Sequence, residues 1–226
     1  MTSVKNASQE NGKRGDAPEP HWPILVTLLA VGGLYMALPR SLTLGPRGLL
    51  LEIVCLLLIP TFIAMWTGHH DAQRRLGFLI LGIITVSMTF SLALLVHALP
   101  LHTENPKQLL GSAVALWASN VLVFAQWYWR LDAGGPFVRG KTLGHMDGAF
   151  LFPQMTMSEE ARKLAGEEDW APTFVDYLFL AFNTSTAFSP TDTLVLTRWA
   201  KVLMMVQSLI SLAVIVLLAG RVVNIF

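Results

Sequence analysis

Charge is what this sequence has least of. Asp, Glu, Lys and Arg make up 14% of its 226 residues, against about 25% in soluble domains. Mean hydropathy is +0.53. The deficit excludes an ordinary soluble enzyme, and it excludes a disordered chain. The charges present nearly cancel, 16 basic against 15 acidic for a net +1, so no nucleic-acid partner is implied. Cysteine is confined to Cys55, which leaves no internal disulfide and no thiolate metal cluster. H-E-x-x-H, G-x-S-x-G and C-x-x-C are missing. His69-His70-Asp71 is the nearest thing to a metal set, but adjacent residues on a loop point apart. Ser185 has no evident base, and Asp176, Asp192 and His145 are too scattered for a triad. No enzyme, cofactor or metal site is expected.

What is abundant is apolar sequence, 53% of the chain, gathered in long blocks. A spanning helix needs about 20 mostly apolar residues. Residues 22–39, 48–68, 76–101, 108–129 and 197–224 meet or approach that length. The expected fold is an all-α integral membrane protein with five long helices and a short pore-helix-like segment before the last span. Residues 1–21 read as a disordered polar tail. Residues 22–130 carry four spans, with Glu52 and His97 near span ends as interfacial groups. Trp127, Tyr128 and Trp129, followed by Arg130, read as an aromatic anchor at the membrane surface. Residues 131–171 are too polar to cross and read as a surface linker. It contains a DAGGP turn, an apolar FLFPQM stretch expected to dock on the membrane or the spans, and an amphipathic helix over 158–170. Residues 172–226 hold the short segment and the final span. On that span Gln207, Ser208 and Ser211 are placed to hydrogen-bond between helices.

The short segment, 172–190, passes from apolar residues into Asn183, Thr184, Ser185 and Thr186. Thr173 or Asp176 is expected to cap its start. An apolar run of 10–14 residues is more often re-entrant or interfacial than spanning, and non-helical backbone survives at membrane depth only where protein or water satisfies it. Residues 184–192 read TSTAFSPTD, followed by TRWAK at 197–201. This resembles the pore module of two-helix potassium channels, in which a pore helix and filter, T-x-T-T-V-G-Y-G-D, precede a Trp-Gly-Arg stretch at the inner helix. Thr184, Thr186 and Asp192 match; the filter positions hold Ala187, Phe188, Ser189, Pro190 and Thr191. Both filter glycines are replaced, and glycine is what permits the backbone angles that aim successive carbonyls at an ion. Pro190 stiffens the strand further. Potassium selectivity is therefore not expected.

The whole chain also resembles an uncharacterised bacterial family of multispanning proteins, through the WYWRLDAGGP run at 127–136, FLFPQM at 150–155 and AFSPTD at 187–192. That likeness implies the bacterial inner membrane and no particular activity. The channel likeness implies a homotetramer with one pore loop per subunit. Residues 183–192 would face small monovalent cations, Phe188 would form a hydrophobic constriction, and Asp192 would sit at the mouth. A non-conducting scaffold or sensor is the alternative. Ten of the 16 basic residues lie in the tail, the 69–75 loop and the 130–171 segment, so the positive-inside rule places the N-terminus in the cytoplasm. Five or six complete crossings remain open at this point, depending on whether 174–189 crosses or turns back.

Overall fold

A computed structural model describes residues 22–36, 38–46, 48–98, 106–139, 148–168, 170–189 and 192–223. The tail over 1–21, His102, His145, and Pro190 and Thr191 of the filter-like loop lie outside them. The described chain is mostly helical: α1 (Trp22–Met36), α2 (Leu49–Trp66), α3 (His70–Ala98) and α4 (Pro106–Leu131), then the short α5 (Pro136–Arg139), α6 (Pro153–Thr156) and α7 (Glu159–Ala165), then α8 (Phe174–Thr186) and α9 (Arg198–Val223). Two strands, β1 (Phe150–Leu151) and β2 (Leu194–Val195), pair antiparallel with Phe150 opposite Val195.

Of five expected long helices, four (α2, α3, α4 and α9) are long and apolar enough to cross a membrane. The described part of the first, Trp22–Met36, is 15 residues, about 22 Å at 1.5 Å per residue, and residues 21 and 37 on either side of it lie outside the described ones. Pro39 lies just beyond its end, and the chain turns there into a 3-10 turn at Arg40–Leu42; proline lacks the N–H that a continuing helix would need.

Helix α4 is the centre of the bundle and packs on α1, α3, α8 and α9. Its Ala113, Ala115, Ser119 and Ala125 are buried, and small side chains let neighbouring backbones approach without a hydrophobic driving force in lipid. The outward faces of α2 and α9 carry Leu56, Ile59 and Ile63, and Val202, Leu209 and Val216, all exposed as an acyl-chain solvent requires.

The aromatic run at the end of α4 is not a surface anchor. Tyr128 and Trp129 are wholly buried. Consecutive helical residues point about 100° apart, so three in a row cannot share one interfacial face. Trp127, half-buried, turns to α3 and donates to Thr85 Oγ1 at 2.9 Å. In the 131–171 segment the charged α7 is exposed, Leu164 by 91%, whereas Phe150 (1% exposed) and Phe152 (4%) are core residues. The FLFPQM stretch docks on the spans. Phe150 meets the rings of Tyr128, Tyr177 and Trp199, and Phe152 those of Tyr177 and Trp170.

Candidate functional site: a hairpin that turns back inside the bundle

The end of α4 sets one end of the bundle. Immediately after it, Ala133, Gly134 and Gly135 all have positive φ, which reverses the chain sharply. The reversal points Asp132 inward, where it is fully buried. Its Oδ1 accepts from Ala149 N at 2.5 Å, and its Oδ2 accepts from Tyr177 Oη at 2.6 Å. Arg139 Nη1 donates to Tyr177 Oη at 2.6 Å and lies 3.9 Å from Asp132 Oδ2. The guanidinium also stacks 4.9 Å from the Tyr177 ring centroid. A buried charge is tolerable only when paired and hydrogen-bonded, and this trio satisfies both conditions. It ties the first turn of α8 to the end of α4 and to the strand β1.

Helix α8 begins there. Thr173 N and Oγ1 both donate to Asp176 Oδ2, at 2.7 and 2.9 Å, so the sequence-expected cap is present. The helix runs 13 residues, about 20 Å, which is less than the roughly 30 Å of a hydrocarbon core. At its far end Ser185 lies beside Gln207 of α9. Gln207 Nε2 donates to Ser185 Oγ and to Ala181 O, both at 2.8 Å. Its Oε1 accepts from Tyr128 Oη. One turn further along α9, Ser211 Oγ accepts from Asn120 Nδ2 at 2.7 Å. Asn120 sits at the middle of α4, so this polar knot lies at mid-depth. Asn120, Ser185, Gln207 and Ser211 are all wholly buried.

From mid-depth the chain goes back. Val195 pairs with Phe150 at the end where α8 began, and the Trp199 ring at the start of α9 stands 6.2 Å from the Phe150 ring. The segment 174–197 therefore enters and returns on one side, and only then does α9 cross. Arg130 reaches Gly77 near the start of α3, so that helix also starts at this end.

The predicted site residues divide into two groups. Thr184 and Ser185 are buried within the protomer. Thr184 Oγ1 donates to Leu180 O at 2.8 Å, and Thr184 O accepts from Ser208 Oγ at 3.4 Å. Asn183 is half-buried, and its Nδ2 has no hydrogen-bond partner. Thr186, Ala187, Phe188, Ser189 and Asp192 are exposed. Phe188 holds φ at 54°, the left-handed region that a residue with a Cβ rarely adopts. It marks the point where the helix breaks into the return strand. Phe188 and Ser189 border an open cavity of about 530 Å³ whose other wall is Met204, Met205, Ser208 and Leu209 of α9.

Sequence reasoning missed the Asp132–Tyr177–Arg139 cluster. Its signal was an Asp and an Arg flanking the glycine pair at 134–135, immediately after a long apolar helix. Residues 135–142 (GPFVRGKT) also spell the letters of a nucleotide phosphate loop. That loop follows a strand and carries its Lys into a helix start. Here a long helix precedes it, Pro136–Arg139 is itself helical, and Arg139 is committed to Tyr177. Among the described residues no group of His, Cys, Asp and Glu could hold a metal ion. The chain matches no family model, no curated protein and no solved structure.

Proposed function

We propose that the hairpin over 174–197 is the pore-lining element of an oligomeric, channel-like membrane protein that passes small cations with weak selectivity. The observation that carries the reading is the reversal at mid-depth. A helix that stops halfway brings its C-terminal carbonyls, the negative end of its dipole, into the low-dielectric interior. Backbone of that kind is stable only against protein or a water-filled path. Thr186, Phe188 and Ser189 are turned out of the protomer beside that end. Four copies around an axis would bring them together, with Phe188 as a hydrophobic constriction and Asp192 as a charge at the mouth.

The basic residues favour a cytoplasmic opening. Arg74, Arg75, Arg130, Arg139, Arg198 and Lys201 belong to the end at which the hairpin enters, and the positive-inside rule assigns that end to the cytoplasm. The N-terminus is then intracellular. Five crossings follow if α1 spans, with the hairpin as a re-entrant element.

Ion flux through purified protein in liposomes tests the reading. Phe188→Ala raises flux without creating potassium selectivity, and Asp192→Asn lowers cation entry at low salt, an effect that fades as screening takes over. Silence of both the wild type and Phe188→Ala removes the pore. The second reading, a non-conducting scaffold or sensor, is favoured by one observation: Thr184 and Ser185 are spent on packing inside the protomer.

A further inference from the structure

At the same end of the bundle, away from the hairpin, a small cavity of about 30 Å³ opens between α2, α3 and the turn after α4. Its polar lining is basic, with Gln73 and Arg74 from α3 and Arg130 from α4. The Arg130 guanidinium lies directly on the backbone of α3 at Gly77. A Cβ there would stand 2.1 Å from Nη1 and 2.8 Å from Cζ, so only glycine admits it. Among the described residues Arg130 has one hydrogen bond, a long one of 3.4 Å from Nε to Gln126 Oε1. Among the described residues no carboxylate lies within ion-pair distance of its forked Nη groups or of Arg74, whose guanidinium rests 5.8 Å from the Phe78 ring centroid. Gln73 is 5% exposed, and its Oε1 has no hydrogen-bond partner.

Two like charges converging on one small cavity repel each other, and partial desolvation makes each costlier. Two things lessen this. The C-terminal dipole of α4 offers about half a charge to Arg130, and Asp71 in the first turn of α3 offsets that helix's positive end. Asp132, the nearest carboxylate in sequence, is already held by Tyr177, Ala149 and Arg139. A water would satisfy Gln73 but would leave the guanidiniums unbalanced. An oxyanion answers every part of the arrangement. Two of its oxygens match the planar Arg130 fork, Arg74 closes over a third, and a half-turn of the Gln73 amide presents its hydrogens.

We propose that this cavity binds a phosphate anion, and that its source is the headgroup of an anionic phospholipid. The size argues for the lipid. The cavity accepts a phosphate's oxygens and little else, so the remainder of the ligand must stay outside, at the level where α4 ends. Basic pockets between helices at the cytoplasmic surface recognise headgroups in this way.

The experiment uses the full-length protein in neutral detergent micelles. Binding is titrated with phosphatidylglycerol, phosphatidylcholine and inorganic phosphate, and read by retained lipid in native mass spectrometry and by the shift in thermal unfolding. Saturable binding of phosphatidylglycerol but not phosphatidylcholine is expected. Arg130→Lys should weaken it about tenfold, through loss of the fork. Arg74→Gln should do the same by removing a charge at an exposed side chain that folding does not need. Gly77→Ala, which changes no charge but displaces the guanidinium, should weaken it too. Equal affinity of Arg74→Gln and wild type for phosphatidylglycerol overturns the site. Inorganic phosphate that binds as tightly as the lipid and competes with it overturns the lipid source while leaving a phosphate site.

Discussion

Replacing Gln207 by Leu removes the centre of the mid-depth polar knot while nearly keeping its volume. The side chain makes three interhelical hydrogen bonds: it donates two at 2.8 Å, to Ala181 O and Ser185 Oγ, and accepts one from Tyr128 Oη. Such bonds average about 0.6 kcal/mol each in membrane proteins, with a maximum near 1.7. Three give about 2 kcal/mol, a factor of roughly 30 in the folding equilibrium. The Tyr128 hydroxyl and Ser185 Oγ are left in a dry interior, where each lost partner counts in full, so about 2 to 4 kcal/mol is the expected loss. Reversible unfolding in bicelles measures it. Ser208→Ala is the control: its bond to Thr184 O is 3.4 Å and half-buried, and its loss should stay below about 0.5 kcal/mol. In a double-mutant cycle, Gln207→Leu with Ser185→Ala should show a coupling of about 0.6 kcal/mol. If Gln207→Leu unfolds within 0.5 kcal/mol of wild type, α8 is not held by this knot and the re-entrant geometry loses its anchor.

Phe188→Gly should raise stability by about 1 kcal/mol, because it relieves a positive φ at a side chain with little packing to lose; a lower unfolding midpoint than Phe188→Ala would contradict the strain. If α1 spans as in the proposed topology, Leu164, 91% exposed on α7, and the start of the chain share one side, so cysteines placed at Leu164 and Ser8 should label together with an impermeant maleimide, in inverted vesicles and not in intact cells. Labelling from opposite sides would break the topology. Native Cys55, on the outward face of α2, should react from neither side, since a water-soluble reagent does not reach it among acyl chains.

The spans were legible because hydrophobic length alone specifies them, and α2, α3, α4 and α9 appear where apolar runs stood. At the first run the described helix covers Trp22–Met36, and Pro39 lies at the turn that follows. The cap of α8 was legible as well, because Thr173 and Asp176 are local partners. Gln207 and Ser211 were recognisable as interhelical donors by type, but their partners Ser185 and Asn120 lie 22 and 91 residues away, and no spacing rule links them. Tyr128 and Trp129 were misread for a related reason. Aromatics at a span end anchor to headgroups only if nothing packs over them, and what packs over Tyr128 is Phe150, delivered by a turn whose depth depends on Asp132 being buried. The choice between crossing and returning for 174–189 was likewise a tertiary matter, decided by the pairing of Val195 with Phe150.

The hairpin is held at two places. Its entry is fixed by Asp132, Arg139 and Tyr177, and its tip by Gln207 against Ser185 and Ala181. Between Ala187 and β2 the described side chains are mostly exposed, and the backbone there already departs from preferred angles at Phe188. A conformational change that moved α8 as a body would have to break the buried hydrogen bonds of Tyr177 to Asp132 and Arg139 and the two mid-depth bonds from Gln207 to Ala181 and Ser185 together, at a cost of several kcal/mol. A local change of the backbone at Phe188 breaks none of these and relieves its positive φ.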